Sequence, residues 1–501
     1  MIAASAGLGN VVGLLPAVML GGGALVCAVV ATARPRTRAS LYRWLTLLAA
    51  AGAFAASMIE LQAIRPNRDG VGLASYAGAL MIDRFHVFGT VLVCLVLILT
   101  VIGAETYMRR FPTRAGAFCA LLQVSAAASV MLVAQREMAA FTAALALLVV
   151  SLVLLTAMTK TSGQTAEAAL KQVLMGGVAV ATAVYGMVLL YAATGTTDLS
   201  RLAAGVGVNG APVDGPLSAV GIGLVVIGLL LVVGAPPMQA WTRQVQEAAP
   251  GAIAGFGSAL GAVTGTAVLA RFAVEAFGAG NSRWTLFVIW LAAIAMLSGA
   301  VLALRATTMR RLIGDLAVAQ AGFLLLAVAS TGRGLGGSST AAPTALLFTL
   351  MGAAAALVAT LLLTGIFDAA GLPPGIDAHR GVGRRAPATA AFLSLALLGL
   401  AGLPPMAGFF GRLLIAESAL NAGAGWAVGI AAVAMVLSGV AVLRWLVAMY
   451  ADDNGEAPFA VRTTPLAARA VAWSAAGLGL LFAAFAGPLI SLAGGGATAL
   501  H

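Results

Sequence analysis

The chain reads as fourteen long apolar runs separated by short polar segments. The runs lie at 10–32, 41–62, 79–104, 112–134, 138–159, 167–193, 216–241, 250–276, 284–304, 312–331, 343–367, 387–420, 424–450 and 467–494. A run of roughly 20 apolar residues, rising about 1.5 Å per residue as a helix, crosses the hydrocarbon of a bilayer. Strict alternation of apolar and polar residues, the mark of a membrane barrel, is not seen. The pattern therefore predicts an all-α polytopic membrane protein of about fourteen helices, with no separate soluble domain. Charge along the connecting segments predicts its orientation. ARPRTRASLYR (33–43), MRRFPTR (108–114), RATTMRR (305–311) and HRGVGRR (379–385) all fall on one side, whereas GAGNSR (278–283) and TGRGLGGSST (331–340) are poorer in cations. By the positive-inside rule the basic side is cytoplasmic, and both termini are expected outside.

Composition strengthens this picture. Of the 501 residues, 61% are hydrophobic and 9% charged, too few charges to solvate a globule of this size. The net charge of +11 does not indicate nucleic acid, because the basic residues sit in the short connecting segments rather than on one periodic face. Cys27, Cys94 and Cys119 lie inside apolar runs without CxxC spacing and read as small buried hydrophobes. No basic segment precedes the first run, so it is expected to be a retained helix rather than a cleaved signal. His86, His379 and His501 are far apart in sequence, and no metal site is expected. There is no glycine-rich loop after a strand and no cysteine set, so no nucleotide, flavin, haem or iron–sulfur cofactor is expected either.

One string recurs. GAPPM (234–238) in the seventh run returns as GLPPM (402–406) in the twelfth, each followed by an aromatic residue and an Arg. Five runs separate them, so the two copies would cross the membrane in opposite directions, as in an inverted repeat with broken helices at matching positions. Chance in an Ala-, Gly- and Pro-rich chain is the competing explanation, since GLPPG (371–375) lies in a loop. Proline removes a helix hydrogen bond, and the freed carbonyls survive at membrane depth only beside protein or water. Pro236, Pro237, Pro404 and Pro405 are thus expected to break helices beside a polar interior.

PMQAW (237–241) followed by EAAPGAIAGF (247–256) resembles the Pro–x–His–x–Trp and Ala-Pro motif of the antiporter-like subunits of respiratory complex I. Other stretches agree in order. MIDRFHVFGTVLVCLVLILTVIGAETYMRR (81–110) resembles that family's third helix, and TAEAALKQVLMGGVAVATAVYGMVLLYAATGTTDLSRLA (165–203) is most similar to its N subunit. MRRLIGDLAVAQAGFLLLAV (309–328) and LSLALLGLAGLPPMAGFFGRLLIAESAL (393–420) resemble the tenth and the broken twelfth helix. Together these cover about residues 80–420. The resemblance implies an N-type membrane-arm subunit of a proton-translocating NADH–quinone oxidoreductase in a bacterial inner membrane. It further implies other membrane-arm subunits as partners and electron transfer in other chains. Its domain order would be helices 1–3 (1–111), a first repeat (112–276), an inverted second repeat (277–450) and a last helix (451–501).

Departures from the family bear on mechanism. Its fifth-helix glutamate aligns with Ala146, its seventh-helix lysine with Val232, and its eighth-helix lysine with Ala262. Its motif histidine aligns with Gln239, its tenth-helix histidine with Gln320, and its twelfth-helix lysine with Arg412. A proton relay needs groups whose pKa can cross between states. Ala, Val and Gln carry no titrating proton, and the Arg pKa, above about 12, keeps it charged. Two readings follow: a structural subunit with weakened or lost pumping, or translocation by an altered path through Lys171, Asp315, Gln320, Arg412 and Glu417. A subunit of a related hydrogenase or cation-antiporter complex, or a free-standing secondary transporter, is the alternative from another class. Each candidate also has a plain explanation. Lys171 stands four residues after Glu167, and Asp315 four after Arg311, both at ion-pair spacing. Gln320 suits a structural hydrogen bond, Arg412 suits tying down a broken helix, and Glu417 suits solvation near an interface. Asp83 suits an N-cap, and Arg444 suits snorkelling beside Trp445.

Overall fold

A backbone with no water to bond to must close its own hydrogen bonds, and this chain does so with helices. The computed structural model describes residues 12–34, 37–64, 72–158, 163–203, 215–236, 239–276, 282–331, 340–452 and 466–498. In chain order the elements are α1 (Leu15–Ala33), α2 (Ala39–Ile64), strands β1 (Leu73–Ser75) and β2 (Leu80–Ile82), α3 (Arg84–Gly103), α4 (Glu105–Arg110), α5 (Ala115–Ala134), α6 (Met138–Ala157), α7 (Gly163–Thr194), α8 (Leu199–Ala203) and α9 (Pro216–Val233). They continue with α10 (Gln239–Ala248), α11 (Gly251–Glu275), α12 (Ser282–Leu304), α13 (Met309–Thr331), α14 (Ala341–Ala369), α15 (Val382–Arg385), α16 (Pro387–Ala401), α17 (Ala407–Asn421), α18 (Gly425–Tyr450), α19 (Leu466–Ala484) and α20 (Ala486–Ala497).

Among the described residues, 12 helices are long and apolar enough to cross a membrane, or 13 if the bent pair α19–α20 is one span. The structure departs from the fourteen-run pattern in four places. Run 387–420 is divided into α16 and α17, each of 15 residues, so neither crosses alone. Run 467–494 turns by 89° between α19 and α20. Run 79–104 opens with β2, which pairs antiparallel with β1 in a small hairpin, so the fold is not purely helical. Run 216–241 ends early, because α9 stops at Val233 and the segment after it is the separate helix α10. The expectation at Asp83 holds: its carboxylate caps α3 by accepting from the His86 N–H at 2.7 Å.

Burial separates centre from rim. The apolar windows of α11, α13 and α14 are 89%, 94% and 100% buried, whereas those of α1, α2 and α7 are a third buried or less. The α14 helix packs on α11, α13, α16, α17, α19 and α20. Its small residues, such as Ala353 to Ala356, allow these close approaches.

The two Pro-Pro strings share one backbone plan. Val233 and Ala401 end their helices, and Gly234 and Gly402 follow with φ of +82° and +72°. The N–H of Ala235 bonds to Leu230 O at 3.0 Å, and that of Leu403 to Leu398 O at 2.9 Å, the same six-to-one closure in both. The next helix begins five residues after each glycine, at Gln239 and at Ala407. Glycine supplies the left-handed turn at little steric cost. The segments then differ: α10 is polar on one face, and α17 is mostly apolar. Pro237 lies outside the described residues. Pro236 is buried, while Pro404 and Pro405, joined by a cis peptide bond, are exposed, so the second break faces its polar contacts from the far side of the prolines.

A Cβ on Gly402 would lie 2.4 Å from Arg412 Cδ, whereas one on Gly371, at φ +82°, would meet nothing within 4 Å. Gly371→Ala is therefore expected to show the backbone cost alone, about 1 kcal/mol, and Gly402→Ala about 1–3 kcal/mol. Thermal unfolding of the solubilised chain reads the difference, and equal losses would mean that Arg412 yields freely.

Candidate functional site

The axis of the protein is built where the breaks meet α11 and α13. Two small adjoining cavities, with room for about 20 and 50 Å³, lie there. Both are lined by Val233, Thr242, Gln246 and Ser258; the smaller adds Ala262 and Gln320, the larger adds Val232, Gln172 and Thr156. Gln246 Nε2 donates to Ser258 Oγ at 2.6 Å. Gln172 Oε1, Thr242 Oγ1 and Gln246 Oε1 are buried and have no hydrogen-bond partner among the described residues, so the walls present open polar atoms. Among the described residues, no Asp, Glu, Lys, Arg or His lines either cavity.

The polar face of α10 supplies much of this lining, and ion pairs hold α10 from the side of the basic loops. Arg243 Nη1 meets Asp315 Oδ1 at 2.9 Å, and Arg311 Nε meets Glu247 Oε1 at 2.7 Å. Arg310 donates to Gln246 O at 3.0 Å and to Ala249 O, and pairs with Asp368 at 2.6 Å. The sequence spacing suggested an Arg311–Asp315 pair. Instead α10 provides a partner for each, and Asp315 is buried against Arg243.

At the second break the chemistry is cationic. Arg412 is 3% exposed and donates from Nη2 to Leu400 O at 2.8 Å, from Nη1 to Ala401 O, and from Nη2 to Gln320 Oε1 at 3.0 Å. The first two acceptors are end carbonyls of α16, the negative pole of a helix. The guanidinium also lies 4.0 Å from the centre of the Phe323 ring. No carboxylate pairs with it among the described residues.

Of the sequence candidates, the structure brings together only Gln320 and Arg412. Lys171 is 40% exposed and pairs with Glu167 at 2.5 Å; its neighbour Gln172 is the residue that reaches the cavity. Glu417 is exposed. Of the positions that the resemblance aligns with the relay, Val232 lines the larger cavity and Ala262 the smaller, Gln239 opens α10 with a buried Oε1 unpartnered among the described residues, and Ala146 is half-buried on α6. Arg444 donates to Leu304 O and Ala306 O, both at 2.6 Å, and so caps α12 rather than snorkelling. Sequence reasoning missed Thr242, Arg243, Gln246 and Ser258, although the polar period of TRQVQEA (242–248) signals a face turned to polar surroundings.

The sequence model of a family described as NADH:quinone oxidoreductase/Mrp antiporter, transmembrane, matches residues 135–438. The chain belongs to that family. It is similar to the NADH-quinone oxidoreductase subunit N 1 of Sorangium cellulosum, with 31% identity over 390 residues, covering 76% of this chain and 75% of that one. Among solved structures it is similar to a chain of respiratory complex I from Thermus thermophilus with bound Aureothin. That match has 27% identity and a TM-score of 0.77, covering 95% of this chain and 99% of that one. A chain of the archaeal membrane-bound sulfane sulfur reductase shares the fold, with a TM-score of 0.83 at 21% identity over 97% of both chains. Both solved chains share the scaffold described above, and in this chain the two cavities are lined by apolar residues with a few Gln, Thr and Ser side chains among them.

Proposed function

We propose that this chain is an N-type membrane-arm subunit of an NADH–quinone oxidoreductase-type complex, in which side-chain proton transfer along the central axis is lost or weakened and the structural role dominates. The reading of the complex rests on the named relatives and on the match along the whole length to a complex I chain. The reading of the mechanism rests on one observation: among the described residues, the two cavities are lined by apolar side chains and by a few Gln, Thr and Ser, with no group able to exchange a proton near neutral pH. The partners are other membrane-arm subunits, the membrane is a bacterial inner membrane, and both termini lie opposite the basic loops. The common register of the two glycine-capped breaks supports reading 112–276 and 277–450 as inverted repeats.

The fixed charge of Arg412 fits this reading. A guanidinium that stays protonated beside a polar channel is an electrostatic barrier to a second cation. Of the five candidates for an altered route, Gln320 and Arg412 meet at the second break, while Lys171, Asp315 and Glu417 are respectively ion-paired at the rim, ion-paired to Arg243, and exposed. The test is the number of protons moved per electron pair by the reconstituted parent complex, with Lys171→Ala and Asp315→Asn beside the parent. The ratio is expected to be unchanged. A fall in either variant, with redox turnover and assembly intact, would establish the altered route.

A further inference from the structure

A second set of ionisable groups is buried at the end of the helices opposite the basic loops, apart from the axial cavities. Asp83, the cap of α3, accepts from Arg271 Nη2 at 2.9 Å. Arg271 Nη1 donates to Glu275 Oε1 at 2.8 Å, and Glu275 Oε2 accepts from Arg136 Nε at 2.7 Å. These four groups carry two negative and two positive charges and balance. Beside them, Glu60 near the end of α2 and His86 in the first turn of α3 are 0% and 1% exposed. His86 Nε2 lies 3.7 Å from Glu60 Oε2 and 3.4 Å from Thr90 Oγ1. Neither Glu60 oxygen, nor His86 Nδ1, has a hydrogen-bond partner among the described residues.

We infer that Glu60 and His86 form a proton-binding site that holds one proton between them. The argument is charge balance in a medium that does not tolerate net charge. With no proton the pair leaves a bare carboxylate without a donor among the described residues. With two it leaves an imidazolium with no carboxylate to balance its charge. With one it is neutral, as a carboxylic acid beside imidazole or as an ion pair. The chemistry bound is the proton itself, and the two arrangements differ in whether Glu60 or His86 carries it. The site is tied to the core: the backbone N–H of His86 and the guanidinium of Arg271 share one oxygen of Asp83, so α3 and the central helix α11 meet at it. It uses none of the axial positions that this chain has replaced, and it does not rest on the reading of those positions.

The test uses the full chain in lipid nanodiscs with ¹⁵N-labelled histidine and ¹³C-carboxyl-labelled glutamate. The chain has three histidines, so His86 is assigned by His86→Gln and Glu60 by Glu60→Asp. Magnetic resonance then reads both groups from mildly acidic to mildly alkaline buffer. The expected result is a protonated Glu60 carboxyl or a His86 imidazolium, one or the other, at every pH in that range. Glu60→Gln is expected to lose the carboxyl signal and leave His86 neutral. An ionised Glu60 beside a neutral His86, or both groups protonated together, overturns the inference. If an assignment variant fails to fold, the nitrogen–carbon dipolar contact between the labelled imidazole and the labelled carboxyl, whose Nε2 and Oε2 lie 3.7 Å apart, identifies the pair in the unsubstituted chain.

Discussion

Arg271→Leu is expected to be among the most damaging single substitutions in this chain, costing about 3–5 kcal/mol. The guanidinium is buried on α11 and bridges Asp83 to Glu275 at 2.9 and 2.8 Å. Removing it strands the Asp83 carboxylate, 0% exposed, with the His86 N–H as its one remaining donor among the described residues. Glu275 keeps Arg136. The penalty is thus a lone buried charge rather than a lost contact, and it is reversible by design. Asp83→Asn keeps the side-chain oxygen that caps α3 and removes the charge. The double variant Asp83→Asn/Arg271→Leu is therefore expected to recover most of the loss. Thermal unfolding and membrane yield of the solubilised chain measure both. If the double variant is no more stable than Arg271→Leu, the arginine acts through packing, including its position 5.4 Å from the Phe85 ring, and the charge argument fails.

Arg412→Met is expected to cost about 2–4 kcal/mol and to show as loss of the assembled parent complex. Three buried acceptors, Leu400 O, Ala401 O and Gln320 Oε1, lose their donor together, at about 1–3 kcal/mol each. Relief from burying a guanidinium without a carboxylate offsets part of that sum. Arg412→Lys separates structure from proton work. An ammonium can still donate to the end of α16, so assembly is expected to recover in part. It also installs a group that can titrate in the interior. Protons per electron pair are nevertheless expected to stay at the parent value, because the described residues around the cavities beyond Gln320 include no second titrating group. A higher ratio in Arg412→Lys would show that a single lysine restores the path and that the neutral walls already conduct.

The long apolar runs determined, without help, that this is a polytopic helical membrane protein. Such runs have one solution in lipid, since every backbone group must bond within its own helix. The prolines of each GxPPM string likewise announced a helix break, a local matter of sterics and a lost donor. The ordered motifs placed the chain in its family, and the resemblance set residues 232, 262, 320 and 412 against titrating groups of that family, an expectation carried into the proposed function. Tertiary structure decided what those residues meet. Asp315 could pair with Arg311 by helix spacing, but α10 brings Arg243 to it across 72 residues and draws Arg311 away to Glu247. Only the packing of α10 against α11 and α13 puts Thr242, Gln246 and Ser258 around one space. Glu60, Arg271 and Glu275 were legible as charges inside apolar runs, a signal that asks for a partner. Which partners they find depends on helices far apart in sequence, and distance along the chain carries no record of that contact.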